Sequence, residues 1–251
     1  MTILDTNTPI IILFGPPVCG KTMMLLRLTR YLECIGYRVE PDYAFIAAND
    51  QYRKICDAYH QFCYNDKIPF YIPYLLVKVF DKAGRTICQI LKVPGQYMFD
   101  PSYTPPPPFP KFLCDIMIGS YNRIWAFFLE PQWDNAIQRM NYVQRVSQIT
   151  PSPNDKAFFI ISKVDKLSMY RNVPKMKNNL KNWIDSQYPN IRQIWTNHNL
   201  FTQWFRPFNA DFVPFSSGIF TETYDDRGVR YIMSHDIYPQ MLWKCILKNI
   251  A

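Results

Sequence analysis

Glycine and acidic residues are both scarce in this chain of 251 residues. It has 8 glycines, and its 20 acidic residues are outnumbered by 28 lysines and arginines, so the formal net charge is +8. No apolar run approaches the ~20 residues that a membrane span needs, and no integral membrane segment is expected. The first residues contain no basic segment followed by an apolar stretch, so we expect no signal peptide.

The cysteines also lack a pattern. The chain has 7 of them, with no Cys-x-x-Cys pair and no spacing typical of metal ligands. Reduced, buried thiols in a cytoplasmic protein are the expected state. No nucleic-acid-binding module is recognisable, so no nucleic acid is expected as a partner. Basic residues cluster between Lys163 and Lys181, which indicates either a solvated helix face or contact with an acidic partner or an anionic membrane surface.

One of the few glycines begins a stretch with a specific pattern. Residues 15–22 read GPPVCGKT, which fits G-x-x-x-x-G-K-[ST], the loop that wraps phosphates. Glycines let successive backbone N–H groups point at an anion, Lys21 brings a positive charge, and the Thr22 hydroxyl is suited to ligate Mg²⁺. The predicted phosphate-binding residues are Gly15, Pro16, Pro17, Val18, Cys19, Gly20, Lys21, Thr22 and Met23.

The context of this loop predicts an α/β fold. Thr8 to Phe14 reads as a buried strand, and Lys21 to Ile35 reads as a helix that ends at Gly36. Strands and helices then alternate, which predicts a three-layer sandwich with a mostly parallel sheet and helices on both faces. A hairpin turn at residues 81–85 predicts one antiparallel edge strand. Further strands are predicted at 75–80, 86–91, 124–129, 157–161 and 211–215, and helices at 133–149, from Pro174 onward and at 235–250.

Three segments interrupt the alternation within a single domain spanning residues 1–251. Residues 36–74 contain a helix with Asn49 as its cap, because Tyr52, Ile55 and Tyr59 repeat at helical spacing. Residues 100–112 are proline-rich and predict a stiff spacer or a docking segment. Residues 191–210 are rich in aromatic side chains, which indicate either local core or a partner surface.

A second motif distinguishes guanine from adenine. The strand at 157–161 is followed by Ser162-Lys163-Val164-Asp165, and a carboxylate there accepts two hydrogen bonds from the N1–H and the amino group of guanine. Adenine offers no such donor pair. Backbone N–H groups after the strand at 211–215 are suited to hold the guanine O6. The predicted base-binding residues are Ser162, Lys163, Asp165, Lys166, Ser216, Ser217 and Gly218.

In this order, GPPVCGKT, hairpin, VPGQ, SKVD and SSG resemble the Ras-like small GTPases of the translation-factor-related P-loop class. The resemblance spans about residues 8–250. Within that class, Gly15-Pro16 and Val93-Pro94-Gly95-Gln96 look most like the bacterial gliding-motility GTPases. The resemblance implies that Gly95 binds the γ-phosphate, that Gln96 places the attacking water, and that Lys21 neutralises charge during GTP hydrolysis.

The sequence departs from this family at Ser162, where relatives usually have Asn or Thr, and at two further places. Lys92 stands where relatives have an aspartate that holds Mg²⁺ through a water, so Lys92 either points away or replaces part of the metal's charge. No serine or threonine lies between Tyr31 and Arg85, where relatives present a second Mg²⁺ ligand. Thr22 is therefore the one metal ligand that we predict.

Three functions remain open from the sequence. The leading one is a switch that binds GTP or GDP with Mg²⁺, hydrolyses GTP slowly and contacts a protein partner through its switch segments, around residues 36–74 and 92–110. The second is a pseudo-GTPase that binds nucleotide and acts as an interaction scaffold. The third is a P-loop ATPase, with Leu129-Glu130 as the nearest acidic strand end. The sequence is silent on oligomeric state.

Overall fold

The computed structural model describes residues 5–46, 49–64, 72–98, 108–131, 135–152, 154–167, 176–195, 210–222 and 229–251. The strands within these ranges are β1 (Ile10–Phe14), β2 (Arg38–Pro41), β3 (Leu75–Phe80), β4 (Thr86–Lys92), β5 (Arg123–Leu129), β6 (Lys156–Ile161), β7 (Ala210–Pro214), β8 (Gly218–Glu222) and β9 (Val229–Met233). The α-helices are α1 (Lys21–Cys34), α2 (Asp50–Tyr64), α3 (Gly95–Met98), α4 (Lys111–Ile118), α5 (Ala136–Ser147), α6 (Met176–Gln187) and α7 (Ile237–Ile250). Among the described residues, none of these helices combines the length and apolar character needed to cross a bilayer.

In the described ranges, seven of the strands form one sheet in the order β2-β3-β4-β1-β5-β6-β7. β4, β1, β5, β6 and β7 run parallel, whereas β3 is antiparallel to both of its neighbours. Every residue of β1 and β5 is buried, so both faces of the sheet are covered. The predicted three-layer α/β sandwich is thus confirmed. The antiparallel β3 lies one position in from the edge, because β2 pairs outside it.

The parallel strands place their carboxyl ends, and the loops that follow them, along one edge of the sheet. Gly20 takes a left-handed φ of 94°, and α1 begins at the next residue. The predicted helix at 36–74 is present as α2, and the Asn49 side chain accepts from Tyr52 N at 3.1 Å, as its predicted cap role requires. α5 begins at Ala136 because the Asn135 side chain accepts hydrogen bonds from the N–H groups of its first turn.

Aromatic side chains fill the core between β1, β5 and the helix layer. Phe14 meets Phe127 edge to face with centroids 5.7 Å apart, and Phe127 also packs against Trp195 at 5.6 Å. Trp195 is buried, so the described part of the aromatic-rich segment, residues 191–195, contributes to the core. Residues 196–209 and 99–107 lie outside the described residues, as does most of the basic cluster after residue 167.

Candidate functional site

The predicted phosphate loop, residues 15–22, connects β1 to α1 and borders a cavity of about 380 Å³. The first N–H groups of α1 have no partner within the helix, which leaves them available for an anion. Val18 holds a positive φ of 57° at the tip of the loop, an uncommon conformation for a β-branched residue. The described lining residues are Pro17, Val18, Cys19, Gly20, Lys21, Thr22, Met23, Ile72, Pro73, Lys92, Gly95 and Gln96.

Lys21 closes the loop on itself. Its Nζ donates to Gly15 O at 2.7 Å and to Pro16 O at 2.6 Å, and lies 3.5 Å from Cys19 Sγ. The side chain is only 5% exposed, and this burial lowers the pKa of Lys21. A phosphate anion in the cavity would favour the charged ammonium and offset that desolvation.

Lys92 brings a second ammonium to the same cavity. It pairs with Leu13 across the β1–β4 ladder, so it lies level with the end of β1, and it is 5% exposed. Its Nζ donates to the carbonyls of Ile72 and Pro73, the latter at 2.9 Å. Burial, with a smaller contribution from the nearby positive Lys21, lowers the pKa of Lys92 to about 7. Lys92 thus borders the cavity, and two carbonyls of residues that also line it hold its ammonium.

The described lining does not suit a divalent cation held by the protein. Its side chains include two lysines and the hydroxyl of Thr22. None of the described lining residues carries a carboxylate or an imidazole. Across the described ranges, no group of three or more His, Cys, Asp or Glu side chains is placed to hold a metal. Mg²⁺ favours carboxylate and other oxygen ligands, so the predicted Thr22 site lacks its expected partners among these residues.

The VPGQ segment abuts the phosphate loop. Gly95 begins α3, and a Cβ built on it would lie 2.4 Å from Pro17 N and 2.7 Å from Pro16 C. Gln96, the next residue, is exposed and lines the cavity. The structure therefore brings both predicted switch residues to the mouth of the phosphate loop.

Gly95→Ala should lower the free energy of unfolding by about 1–3 kcal/mol, because the added methyl overlaps the loop backbone and forces the two segments apart. Urea unfolding of the purified variant measures this loss. Gly95→Val should cost more than Gly95→Ala, since the steric conflict grows with size. Equal stability of all three proteins would contradict the close approach.

The two predicted base-binding loops contact each other at the same sheet edge. Val164 N donates to Phe215 O at 3.3 Å, which ties the loop after β6 to the loop after β7. Asp165 is exposed within a short 3₁₀ helix, residues 164–166, and Lys166 follows it, also exposed. Because β5 lies between them, β1 and β6 run about 10 Å apart in the sheet, and the two predicted loops follow these strands.

Several neighbours fix these loops. Ser162 is buried and its Oγ donates to Leu129 O at 3.2 Å, while Ser216 is buried and its carbonyl accepts from Ser234 Oγ. Ser217 is half-buried, and its carbonyl accepts from Ser234 N. Gly218 is the first residue of β8 and pairs with Met233 rather than ending a free loop. The β8–β9 hairpin thus supports the segment that the sequence assigned to the guanine O6.

Glu130 directly follows β5, where the ATPase hypothesis places its acidic strand end. Its Oε2 lies 2.8 Å from the Nζ of Lys163, and it does not line the phosphate cavity. Lys163 has a positive φ of 50°, so this ion pair and an uncommon backbone conformation occur together in the base-binding loop. Neither the ion pair nor the cavity wall formed by Ile72 and Pro73 has a signal in the sequence.

The pH dependence of folding provides a check on the buried position of Lys92. Its folded-state pKa is about 7, whereas a lysine in an unfolded chain titrates near ~10.4. Below about pH 7, folding buries a charge; between about pH 7 and ~10.4, folding instead releases a proton, at a free-energy cost that falls as the pH rises. The contribution of Lys92 to the free energy of unfolding should therefore rise between about pH 7 and pH 10, by at most about 4 kcal/mol.

Urea unfolding at several pH values, on the wild type and on Lys92→Met, measures this effect. The difference between the two proteins isolates Lys92, because the facing groups Lys21 and Cys19 titrate in both. A difference that stays constant from pH 6 to pH 10 would contradict a buried ammonium at this position.

No family model matches the chain, and a search of curated proteins finds no relative. Among solved structures, the chain is similar to a protein assigned as nucleolar GTP-binding protein 1 from Plasmodium falciparum, at 12% identity and a TM-score of 0.45, covering 100% of this chain and 90% of that one. It is also similar to the GTP-bound Ski7 GTPase-like domain of S. cerevisiae, at 13% identity and a TM-score of 0.46.

That second match covers 99% of this chain and 53% of the Ski7 chain, so the chain spans about half of that length. A third structure, the signal recognition particle receptor SRb-GTP/SRX complex from Chaetomium thermophilum, matches at 14% identity and a TM-score of 0.35 over 89% of this chain and 95% of that one. The fold described above depends on the strand order and register of this chain rather than on these similarities.

Proposed function

We propose that the chain binds guanine nucleotides as a Ras-like P-loop protein. The observation that carries this proposal is the placement of a lysine-closed glycine loop and the Asp165 loop along one edge of a parallel sheet. Ligands of open α/β sheets bind at the carboxyl ends of the strands. The ~10 Å between β1 and β6, the strands that these loops follow, suits a nucleotide whose phosphates contact residues 18–22 and whose base reaches Asp165.

Backbone geometry supports a role for both loops. In the described ranges, the non-glycine residues with positive φ are Val18, Lys163 and Asn190. The first lies in the phosphate loop and the second in the base loop. Such conformations cost about 1–3 kcal/mol each and are concentrated at functional sites.

Slow hydrolysis of GTP is the activity that we propose for this site. Water would attack the γ-phosphate, with Lys21 neutralising charge and the Gly95 N–H holding a phosphate oxygen. Gln96 would orient the water, as its position at the cavity mouth allows. No arginine is among the described lining residues, and in this class arginine supplies about three to five powers of ten in rate.

Switching follows from the same arrangement. Gly95 and Gln96 border the cavity on one side, and Ile72 and Pro73 border it near Lys92. A bound γ-phosphate would contact the VPGQ segment, and its loss would release that segment. We propose that a protein partner reads this change.

A pseudo-GTPase scaffold is the second candidate function, and the two lysines in the cavity favour it. The described lining residues include no carboxylate that would hold a metal, which favours nucleotide binding without GTP hydrolysis. Phosphate release from GTP discriminates between the two. Turnover that Lys21→Ala abolishes would support the enzyme, and no turnover in the wild type would support the scaffold.

Fluorescence titration with labelled GTP, GDP and ATP tests the proposed nucleotide. We expect GTP and GDP to bind at least 100-fold more tightly than ATP, because adenine leaves the Asp165 carboxylate without donors. Equal affinity for ATP would remove the guanine assignment. Binding of none of the three would remove the nucleotide assignment altogether.

A further inference from the structure

The positive charge of the phosphate cavity is arranged in an unusual way. Two ammonium groups border it, Lys21 from the start of α1 and Lys92 from the end of β4. Both side chains are 5% exposed, so neither is a freely solvated surface lysine. The described lining contains no carboxylate that pairs with either of them. Such a cavity attracts an anion and repels a cation.

The contacts of Lys92 hold its ammonium against residues that line the cavity. An ammonium has three N–H donors, and the described partners of Lys92 are two carbonyls, those of Ile72 and Pro73. Both carbonyl-bearing residues line the cavity, so the ammonium lies at its wall. Among the residues that the structure describes, these two carbonyls leave the third donor for a ligand that enters the cavity.

The Lys92 ammonium can neutralise negative charge on the phosphates of a bound nucleotide. A divalent cation normally neutralises part of the charge on the outer phosphates, and it is held by hydroxyl and carboxylate oxygens. Here a lysine occupies the strand end beside the loop, and Lys92 supplies a positive charge that adds to that of Lys21. A phosphate beside Lys92 also raises its pKa, which keeps the ammonium charged when nucleotide is bound.

We propose that Lys92 takes the place of the metal ion, so that this chain binds the diphosphate of its nucleotide without Mg²⁺. The inference rests on the proposed function, since it concerns the same cavity. It adds that the ligand is the metal-free nucleotide and that Lys92 contacts its outer phosphates.

Labelled GDP is titrated in two buffers to test the proposal. The first contains about 5 mM Mg²⁺, enough to saturate a metal site, and the second contains excess EDTA, which removes the metal. We expect the two dissociation constants to agree within about threefold. A loss of affinity of tenfold or more in EDTA would overturn the role of Lys92 and leave nucleotide binding intact. An absence of GDP binding in both buffers would instead overturn the proposed function.

Variants of Lys92 sharpen the result. Lys92→Met should weaken GDP binding in EDTA by about 10-fold to 100-fold, the effect of losing one charge-assisted hydrogen bond. Lys92→Asp should bind GDP better in Mg²⁺ than in EDTA by at least tenfold, since a carboxylate recruits the metal. Unchanged affinity in Lys92→Met would overturn the proposal.

Lys54→Met is the matched control. Lys54 lies on the exposed side of α2 and does not line the cavity, so this variant removes the same charge elsewhere. It should bind GDP like the wild type in both buffers. A loss in Lys54→Met equal to that in Lys92→Met would assign the effect to net charge and contradict a local role. If a Lys92 variant fails to fold, the wild-type comparison still decides the question.

Discussion

Replacing Lys21 by methionine should lower the affinity for GDP by about 100-fold or more. The Lys21 ammonium closes the loop over Gly15 and Pro16 and borders the cavity. When phosphate binds, this ammonium would exchange backbone carbonyls for phosphate oxygens. Each charge-assisted hydrogen bond contributes about 1.5–3 kcal/mol, and two of them account for the expected loss.

Isothermal titration with GDP measures that loss directly. Methionine keeps most of the volume of the buried stem, so folding should survive, and circular dichroism checks this. Lys54→Met again serves as the control for charge. An affinity for GDP that stays within threefold of the wild type in Lys21→Met would exclude residues 15–22 as the phosphate site.

Asp165→Asn should convert the preference from guanine to xanthine. The asparagine amide presents one donor and one acceptor where the carboxylate presented two acceptors, and xanthine offers the complementary groups. We expect GDP affinity to fall by about 100-fold and XDP affinity to rise above that of the wild type, since polar groups that the bound base covers without pairing are costly.

Competition of GDP and XDP for a labelled nucleotide measures both changes in one experiment. Asp115→Asn is the matched control, because Asp115 is exposed on α4 and its described partner is the exposed Lys111, in a surface ion pair. Parallel losses of GDP and XDP in Asp165→Asn would indicate a misfolded loop. Unchanged affinities for both would show that Asp165 does not read the base.

Long apolar strands were predictable because their signal is local. The β3 range was predicted without error, and β5 and β6 differ from prediction by one residue at one end. β2 was missed because it is four residues long, alternates charged and apolar side chains, and ends in proline. α4 was missed because the preceding proline-rich run predicted only extended chain.

In the candidate site, too, some residues follow from a local sequence motif and others from contacts between distant strands. The predicted phosphate loop is one contiguous motif, so the sequence alone was enough to propose its residues. The role proposed for Lys92 depends on the register that places it opposite Leu13, and on the Ile72 and Pro73 carbonyls that hold its ammonium. The Glu130–Lys163 ion pair likewise joins the ends of two strands. Such contacts arise from strand pairing, which spacing along the chain does not reveal.

A crystal structure of the chain with GDP shows whether residues 18–22 and Asp165 bind the nucleotide. We expect β-phosphate oxygens about 2.7–3.1 Å from the backbone nitrogens of residues 18–22 and from Lys21 Nζ. We also expect both Asp165 carboxylate oxygens within about 3 Å of guanine N1 and N2. A nucleotide bound elsewhere, or a guanine facing away from Asp165, would contradict the proposed nucleotide site.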